Sequence, residues 1–324
     1  MSDRLLKPFP FTPAPQLVAD VGGTNTRLAL ADHGIVRPGS IKRYENAGVA
    51  SLESIVERYL HETASPECAG VCVALAGPVR GDSATMTNLS WTITAGSLGE
   101  AARTSSVHLL NDLQAQGHSL PILNPHHCRV LVPGRPEPRA ALLAVGAGTG
   151  FNAAPVHWVE GKTFVAAAEA GHIHLPTGRE DEVAFARHLA HLHGIASIEE
   201  ALCGRGLVAM HEFLTGERSD GQSLTTRIAQ HDAGTQETAS LYARLLGRVL
   251  AGYALTHLPF GGIYLIGGVA RAMAPVLMRG GMHEAFRQMG RFSEFMDVFA
   301  ISVVEDDYAA LMGCATYLEA RTSA

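Results

Sequence analysis

The chain has 324 residues, enough for about two domains with a full core, which excludes disulfide-stapled miniature folds. Lys and Arg number 25 against 31 Asp and Glu, a net charge of −6, so there is no basic excess to wrap a polyanion such as DNA. An apolar content of 47% with 17% charged residues excludes a disordered chain, and 34 glycines point to tight turns or backbone-lined ligand loops. The first residues run into a Pro-rich stretch (Pro8, Pro10, Pro13, Pro15) with no apolar core of a secretory signal, and a cytoplasmic chain is expected. Leu17 to Asp20 is a short apolar run broken by Val21-Gly-Gly-Thr-Asn25, and Arg27 to Ala31 resumes it, the pattern of a strand, a turn and a second strand. A third strand is expected near Ser40 to Tyr44. From Ser51 to Ala64, residues Leu52, Ile55, Val56, Tyr59 and Leu60 fall on one helical face, with Glu53, Glu57 and Arg58 elsewhere. Gly70 to Leu75 is apolar throughout and ends at Gly77-Pro78, which suits a central strand covered on both faces. Val107 to Asp112 reads as the last strand of this half, a mixed α/β layer.

The second half repeats the logic. Ala140 to Val145 leads into Gly146-Ala-Gly-Thr-Gly150, and strands near Ala153 to Val159 and Thr163 to Ala168 flank a turn at Glu160-Gly161. Helices are predicted at about Asp181 to His193, Glu199 to Leu214 and Thr235 to Leu258, strands at Ile263 and Val298, and a closing helix from about Tyr308. Val249 to Ala270 carries no Asp, Glu, Lys or Arg over 22 residues, long enough to cross a bilayer. His257, Pro259 and the glycines argue instead for the end of a buried helix, a turn, and the strand Gly262 to Ile266 entering Gly267-Gly268. Each half opens with strands bearing a Gly-rich turn. No polar low-complexity linker separates them, so they are expected to face each other across a cleft.

Asp20-Val-Gly-Gly-Thr-Asn25 is the strongest local signal. Adjacent glycines let backbone N–H groups approach an anion closely, Thr24 and Asn25 add donors, and Asp20 can orient a hydrated Mg²⁺. A plain hairpin with a Gly-Gly turn explains the same residues equally well. Gly146-Ala-Gly-Thr-Gly150 and Gly267-Gly268, each just past a strand, are further candidates of the same kind. Familiar nucleotide motifs do not fit. Gly161-Lys-Thr163 looks like the end of a P-loop, but the glycine required five positions earlier is Val156, which leaves a hairpin turn. Gly146 to Gly150 lacks the spacing of a dinucleotide fingerprint, and the protein-kinase catalytic-loop signature is missing.

Asn111-Asp112 ends a strand, where ligands usually sit in an open α/β sheet. An Asp there can accept the proton of an attacking hydroxyl while the neighbouring amide holds the substrate, and it can equally cap a helix. Glu169-Ala-Gly-His172 and Glu199 offer groups that accept hydrogen bonds from paired hydroxyls, as on a sugar, although the default for Glu199 alone is a surface carboxylate. Other features read as structural. His188, His191 and His193 resemble a metal cluster but lie on an amphipathic helix with no Cys ligand set nearby. His126-His127 reads as loop beside Pro125. The five cysteines (Cys68, Cys72, Cys128, Cys203, Cys314) lack paired spacing and read as reduced, mostly buried thiols. Asn88-Leu-Ser90 matches a glycosylation sequon with no secretion signal to make it usable.

Taken in order, Asp20-Val-Gly-Gly-Thr-Asn25, Ala76-Gly-Pro-Val79, Met86-Thr-Asn88 with Trp91, Asn111-Asp112, Gly148-Thr-Gly150, Glu169 with Gly171-His172, Gly204 with Gly206-Leu207, Ile266-Gly-Gly268 and Gly290-Arg-Phe292 closely resemble the bacterial glucokinases, ATP-dependent members of the superfamily that also holds actin and the Hsp70 ATPase domain. The resemblance spans nearly the whole chain. The related repressor-and-kinase sugar family carries a Cys-rich zinc motif after its equivalent of His172, and this sequence has none.

The resemblance implies an α/β fold of two RNase H-like lobes of the actin-like ATPase (hexokinase) superfamily with an interlobe cleft. The small lobe would cover 1–111, completed by a C-terminal helix at about 305–324, and the large lobe 112–304. It implies phosphorylation of a hexose by ATP, with D-glucose giving D-glucose 6-phosphate. Another hexose or amino sugar, or a sugar-responsive regulator without turnover, are the alternatives. By resemblance Asp20 holds Mg²⁺ through water, Gly22, Gly23, Thr24 and Asn25 form the first phosphate turn, Gly148 and Thr149 the second, and Gly267 and Gly268 border the adenosine. Asn111, Asp112, Glu169, His172 and Glu199 correspond to the sugar contacts, with Asp112 as catalytic base. The partners implied are a hexose and ATP, not nucleic acid or membrane, and a homodimer is the assembly the family points to. Three departures bear on substrate fit: Phe151-Asn152 where the family has Leu-Gly, Ala170 for a usual glycine, and Ala270-Arg271 for Pro-Arg.

Overall fold

The computed structural model describes residues 14–322 apart from 66, 87 and 88; Pro8, Pro10, Pro13, and Thr87 and Asn88 of the quoted motifs lie outside the described residues. The chain divides into two units, residues 1–115 with 310–324, and residues 116–309.

In the first unit, β1 (Gln16–Val21) and β2 (Asn25–Asp32) form an antiparallel pair, joined on the outer side by β3 (Ile35–Val36) and β4 (Lys42–Glu45). On its other edge β1 runs parallel to β5 (Gly70–Leu75), which runs parallel to β9 (Val107–Asn111), giving the order β3-β2-β1-β5-β9. Both faces of this sheet are covered, as the apolar runs require. Alternation along β1 sends Leu17, Ala19 and Val21 into a core with α1 (Leu52–Glu62) and α2 (Ala95–Ala102), while Val18 joins a second core with Leu311, Cys314, Ala315 and Leu318 of the C-terminal helix. α1 buries the five residues that its periodicity picks out, and the Ser51 hydroxyl caps it by accepting from the Ser54 N–H. Three short strands, β6 (Val79–Arg80), β7 (Ser83–Thr85) and β8 (Thr92–Thr94), form a separate small sheet. The division between units falls inside α3 (Asp112–Ser119), which follows β9 directly.

The second unit carries a six-stranded sheet built from β10 (Cys128–Val132), β11 (Leu142–Ala147), β12 (Phe151–Val159), β13 (Lys162–Val165), β14 (Gly262–Ile266) and β15 (Ile301–Val304), in the order β10-β15-β14-β11-β12-β13. β11, β14 and β15 are parallel and β12 returns antiparallel beside β11. The β12–β13 connection has φ 51° at Glu160 and 80° at Gly161, the two left-handed residues of a tight hairpin. Helices α4 (Glu180–His193), α5 (Ile198–Leu202), α6 (Gly204–Thr215), α7 (Gly221–Ala229), α8 (Gln236–His257), α9 (Gly268–Leu277) and α10 (Met282–Arg287) complete it, followed by α11 (Ala309–Thr322), the C-terminal helix of the first unit. The charge-free stretch from Val249 is the end of α8, a turn, and β14; among the described residues no helix is long and apolar enough to cross a membrane.

Three expectations need correction. The helix read from Glu199 to Leu214 is two, because Cys203 is extended (ψ 177°) and Gly206 packs so tightly that a Cβ there would lie 2.4 Å from the Glu200 carbonyl oxygen. The strand placed at Val298 is β15 instead, because Met296 and Phe299, both fully buried, are three residues apart and need a helical turn to reach the same core. The strand drawn to Ala168 stops at Val165, and beyond it the Asn152 amide donates to the Ala168 carbonyl at 2.6 Å. All five cysteines are free thiols, four buried and Cys128 half-buried.

Candidate active site

Register places the first part of the site. Val21 of β1 pairs with Leu75 of β5, and Leu75 with Asn111 of β9, so the β1–β2 turn and the Asn111-Asp112 step leave the same edge of the sheet. With one strand between them, β1 and β9 are about 10 Å apart, two interstrand spacings. The Gly22 N–H donates to the Asn25 carbonyl at 3.0 Å and closes the turn, which leaves Gly23 and Thr24 at its tip. Just before it, Asp20 is mostly buried and its Oδ2 lies 3.3 Å from Arg27 Nη1. Burial pushes the Asp20 carboxyl above the ordinary carboxylate range, against the opposing pull of Arg27.

At the second strand end, the Asn111 amide donates to the Gly77 carbonyl at 3.3 Å, and its Oδ1 accepts from the Leu113 N–H at 3.0 Å. Asp112 is the first residue of α3, and its Oδ1 also accepts from Leu113 N–H, at 2.8 Å. That bond to its own next residue is not a helix cap; the cap is Asn111, whose Oδ1 accepts from the N–H of Leu113, the second residue of α3.

The second unit builds a matching turn. Gly146 of β11 pairs with Ile266 of β14, so Gly148-Thr149-Gly150 and Gly267-Gly268 leave neighbouring parallel strands at one edge. The Gly148 N–H donates to the Gly150 carbonyl at 2.9 Å, and the Gly204 N–H at the start of α6 donates to the Gly148 carbonyl at 2.8 Å. Gly267 has φ +112°, and a Cβ on it would strike the Ala147 carbonyl oxygen at 2.4 Å; a Cβ on Gly148 would lie 4.0 Å from the Gly268 nitrogen. The N-termini of α6 and α9 thus meet beside the turn, an arrangement that favours an anion.

Glu169, His172 and Glu199 come together in the same unit. Glu169 and His172 are exposed, with Oε2 and Nε2 3.9 Å apart. The backbone of the 169–172 turn is pinned: Asn152 Oδ1 accepts from the Ala170 N–H at 2.8 Å and Tyr253 donates to the Ala170 carbonyl at 2.7 Å. A Cβ on Gly171 would sit 1.8 Å from the Phe151 carbonyl oxygen and 3.4 Å from Glu199 Cβ, so only glycine lets this turn lie against Phe151 and Glu199. Glu199 is mostly buried, not a surface carboxylate: Oε2 accepts from the Phe151 N–H at 2.9 Å and Oε1 from Arg205 at 3.3 Å.

The histidines of α4 do not converge. His188 packs against Phe185 and Phe213, and His193 lies 3.5 Å from Glu200; among the described residues no group of three or more His, Cys, Asp or Glu is placed to hold a metal ion.

The model of the family described as Glucokinase matches residues 17–321. The chain belongs to the glucokinase family. It is 30% identical over 317 residues to the glucokinase of Stenotrophomonas maltophilia strain K279a, covering 94% of each chain. The fold is that of solved glucokinases: the crystal structure of a glucokinase from an Antarctic psychrotroph matches with a TM-score of 0.84 and 24% identity, over 95% of this chain and all of that one. A ROK family glucokinase from Streptomyces griseus, solved in complex with glucose and AMPPNP, matches with a TM-score of 0.63 and 18% identity, over 94% of this chain and 98% of that one. These solved structures share the fold of this chain, in which the Gly-rich turns follow the ends of β1, β11 and β14.

Within this glucokinase-family frame, both residues of the Phe151-Asn152 departure acquire a structural role. Phe151 is a core residue whose N–H serves Glu199, and Asn152 links β12 to the 169–172 turn. Asn46, Asn152, Arg205 and Tyr253 were not candidates from sequence. Asn46 reaches Gly22 across 24 residues, Asn152 reaches Ala170 across 18, Tyr253 reaches Ala170 across 83 and Arg205 reaches Thr149 across 56, and no local pattern marks these pairs.

Proposed function

We propose that this protein transfers the terminal phosphoryl group of ATP to the 6-hydroxyl of a hexose, D-glucose above others. The observation that carries this reading is the placement of Asp112 immediately past β9, on the sheet edge that also bears Asp20 and the Gly22–Thr24 turn. Asp112 takes the proton of the attacking hydroxyl, and Asn111 beside it holds the sugar. Glu169, His172 and Glu199 accept and donate hydrogen bonds to the remaining hydroxyls, which fixes the ring so that one oxygen is presented. Gly23 and Thr24 are the residues through which the β1–β2 turn would meet a phosphate by backbone N–H groups, and Thr149 with Gly267 and Gly268 those through which the second turn would do so beside helix N-termini.

The donor set around Asp20 fits a hydrated Mg²⁺ better than a directly caged one. The Asp20 carboxylate already faces Arg27, and magnesium readily keeps several of its waters. When bound, Mg²⁺ would neutralise charge on the phosphates. Asp20 would hold it through water, with Arg27 keeping the carboxylate oriented.

An assay of sugar-phosphate formation tests this, run over glucose, mannose, fructose, glucosamine and N-acetylated sugars with ATP, ADP and polyphosphate as donors, and with ADP release followed in parallel when ATP is the donor. The expected result is sugar-dependent turnover with ATP, with glucose giving the highest kcat/KM. ADP release that ignores the sugar, or none with any sugar, would overturn the proposal. Preference for another hexose would move the specificity and keep the reaction.

A further inference from the structure

Arg205 is the second residue of α6, flanked by Gly204, which bonds to the Gly148 carbonyl, and Gly206, which packs on the Glu200 backbone. From that position its guanidinium reaches three acceptors in the same unit. Nη1 donates to the Thr149 carbonyl at 3.3 Å, and Nη2 to Glu199 Oε1 at 3.3 Å and to Glu200 Oε1 at 3.2 Å. The side chain is 56% exposed, so ion pairing by itself stabilises little. The geometric consequence is larger. Across a planar trans peptide the C=O and the following N–H point in opposite directions, so holding the Thr149 carbonyl also fixes the direction of the Gly150 amide. The same planar fork fixes Glu199 Oε1 while the Phe151 N–H fixes Oε2.

We infer that Arg205 is a positioning residue that couples the second phosphate turn to the sugar-binding carboxylate. It sets the Thr149–Gly150 peptide for the nucleotide and Glu199 for the sugar hydroxyls through one rigid side chain. The inference rests on the reading of Thr149 and Glu199 given above. Arginine is required because its donors lie in a fixed fork, whereas a lysine is a single point donor on a flexible stem and satisfies one acceptor at a time.

The test is steady-state kinetics of the full-length enzyme and of Arg205→Ala and Arg205→Lys, with glucose and ATP varied independently, alongside thermal unfolding. Arg205→Ala is expected to raise KM for both substrates about tenfold, the loss of one charge-assisted hydrogen bond to each element, with a smaller change in kcat. Arg205→Lys is expected to restore one KM and not the other. Wild-type KM values for both substrates in either variant would overturn the inference, as would a rise confined to one substrate in Arg205→Ala. If Arg205→Ala fails to fold, the lysine variant decides by the same criterion. A wild-type protein that phosphorylates no sugar would instead overturn the functional reading itself, and this inference with it.

Discussion

Asn46 Nδ2 donates to the Gly22 carbonyl at 2.8 Å, binding the β1–β2 turn to a residue 24 positions along the chain. Asn46 is buried, its Oδ1 accepts from the Thr26 hydroxyl at 2.8 Å, and its backbone N–H donates to the Thr24 carbonyl at 2.9 Å. One side chain thus holds both flanks of the turn. Asn46→Ala removes an acceptor and a donor at a buried position, and about 1–3 kcal/mol of stability should be lost. Urea denaturation measures the loss. Steady-state kinetics should show KM for ATP rising more than KM for sugar; equal stability and equal KM values would mean that the turn holds its shape without Asn46.

Asp20 should oppose stability while serving function. Its carboxyl is held above its ordinary value of 3.8, chiefly by burial, so ionisation is less favourable in the folded chain than in the unfolded one. The sign follows from proton linkage: the penalty is absent below the ordinary value and complete above the raised one. Asp20→Asn, which can still accept from Arg27, should therefore gain stability relative to wild type as pH rises above the ordinary carboxylate value of about 4. Turnover should fall steeply in the same variant. Denaturation midpoints at several pH values give the answer, and a stability difference that does not grow with pH would sink the claim.

Asp112→Asn keeps the size and the acceptor used by the Leu113 N–H, and it removes the group proposed as base. Turnover should drop by about 10²- to 10⁴-fold, the usual contribution of a positioned base. Glucose binding measured by calorimetry should survive within a few-fold. Full activity in this variant would remove Asp112 from the chemistry.

Gly171→Ala would place a methyl group 1.8 Å from the Phe151 carbonyl oxygen, so the 169–172 turn must move. Overpacking of this kind costs about 1–3 kcal/mol. The displaced turn carries Glu169 and His172, so KM for glucose should rise while KM for ATP stays near wild type. A variant with unchanged glucose KM would show that the turn does not set the sugar contacts.

Much of this protein was legible before folding. The periodicity of Leu52 to Leu60 marks α1 by the same five residues that are buried, and the uniformly apolar Gly70 to Leu75 is the central strand it looks like. The order of the motifs from Asp20 to Gly290 identifies the family. The errors have a common cause: Cys203 interrupts a helical pattern, and Met296 and Phe299 turn where a strand was read, because backbone packing at Gly206 and burial of two side chains override local propensity.

Residue types and their order along the chain determined which groups can accept a proton, hold a hydroxyl or leave room for a phosphate. Only the tertiary structure decided how they are held. Glu199 is a surface carboxylate by composition and becomes a fixed acceptor because Phe151, 48 residues away, lends it an N–H and Arg205 a guanidinium. Asn152 steadies Ala168 and Ala170 because β12 and the 169–172 turn lie side by side. A hydrogen bond depends on distance and direction in space, and separation along the chain carries neither.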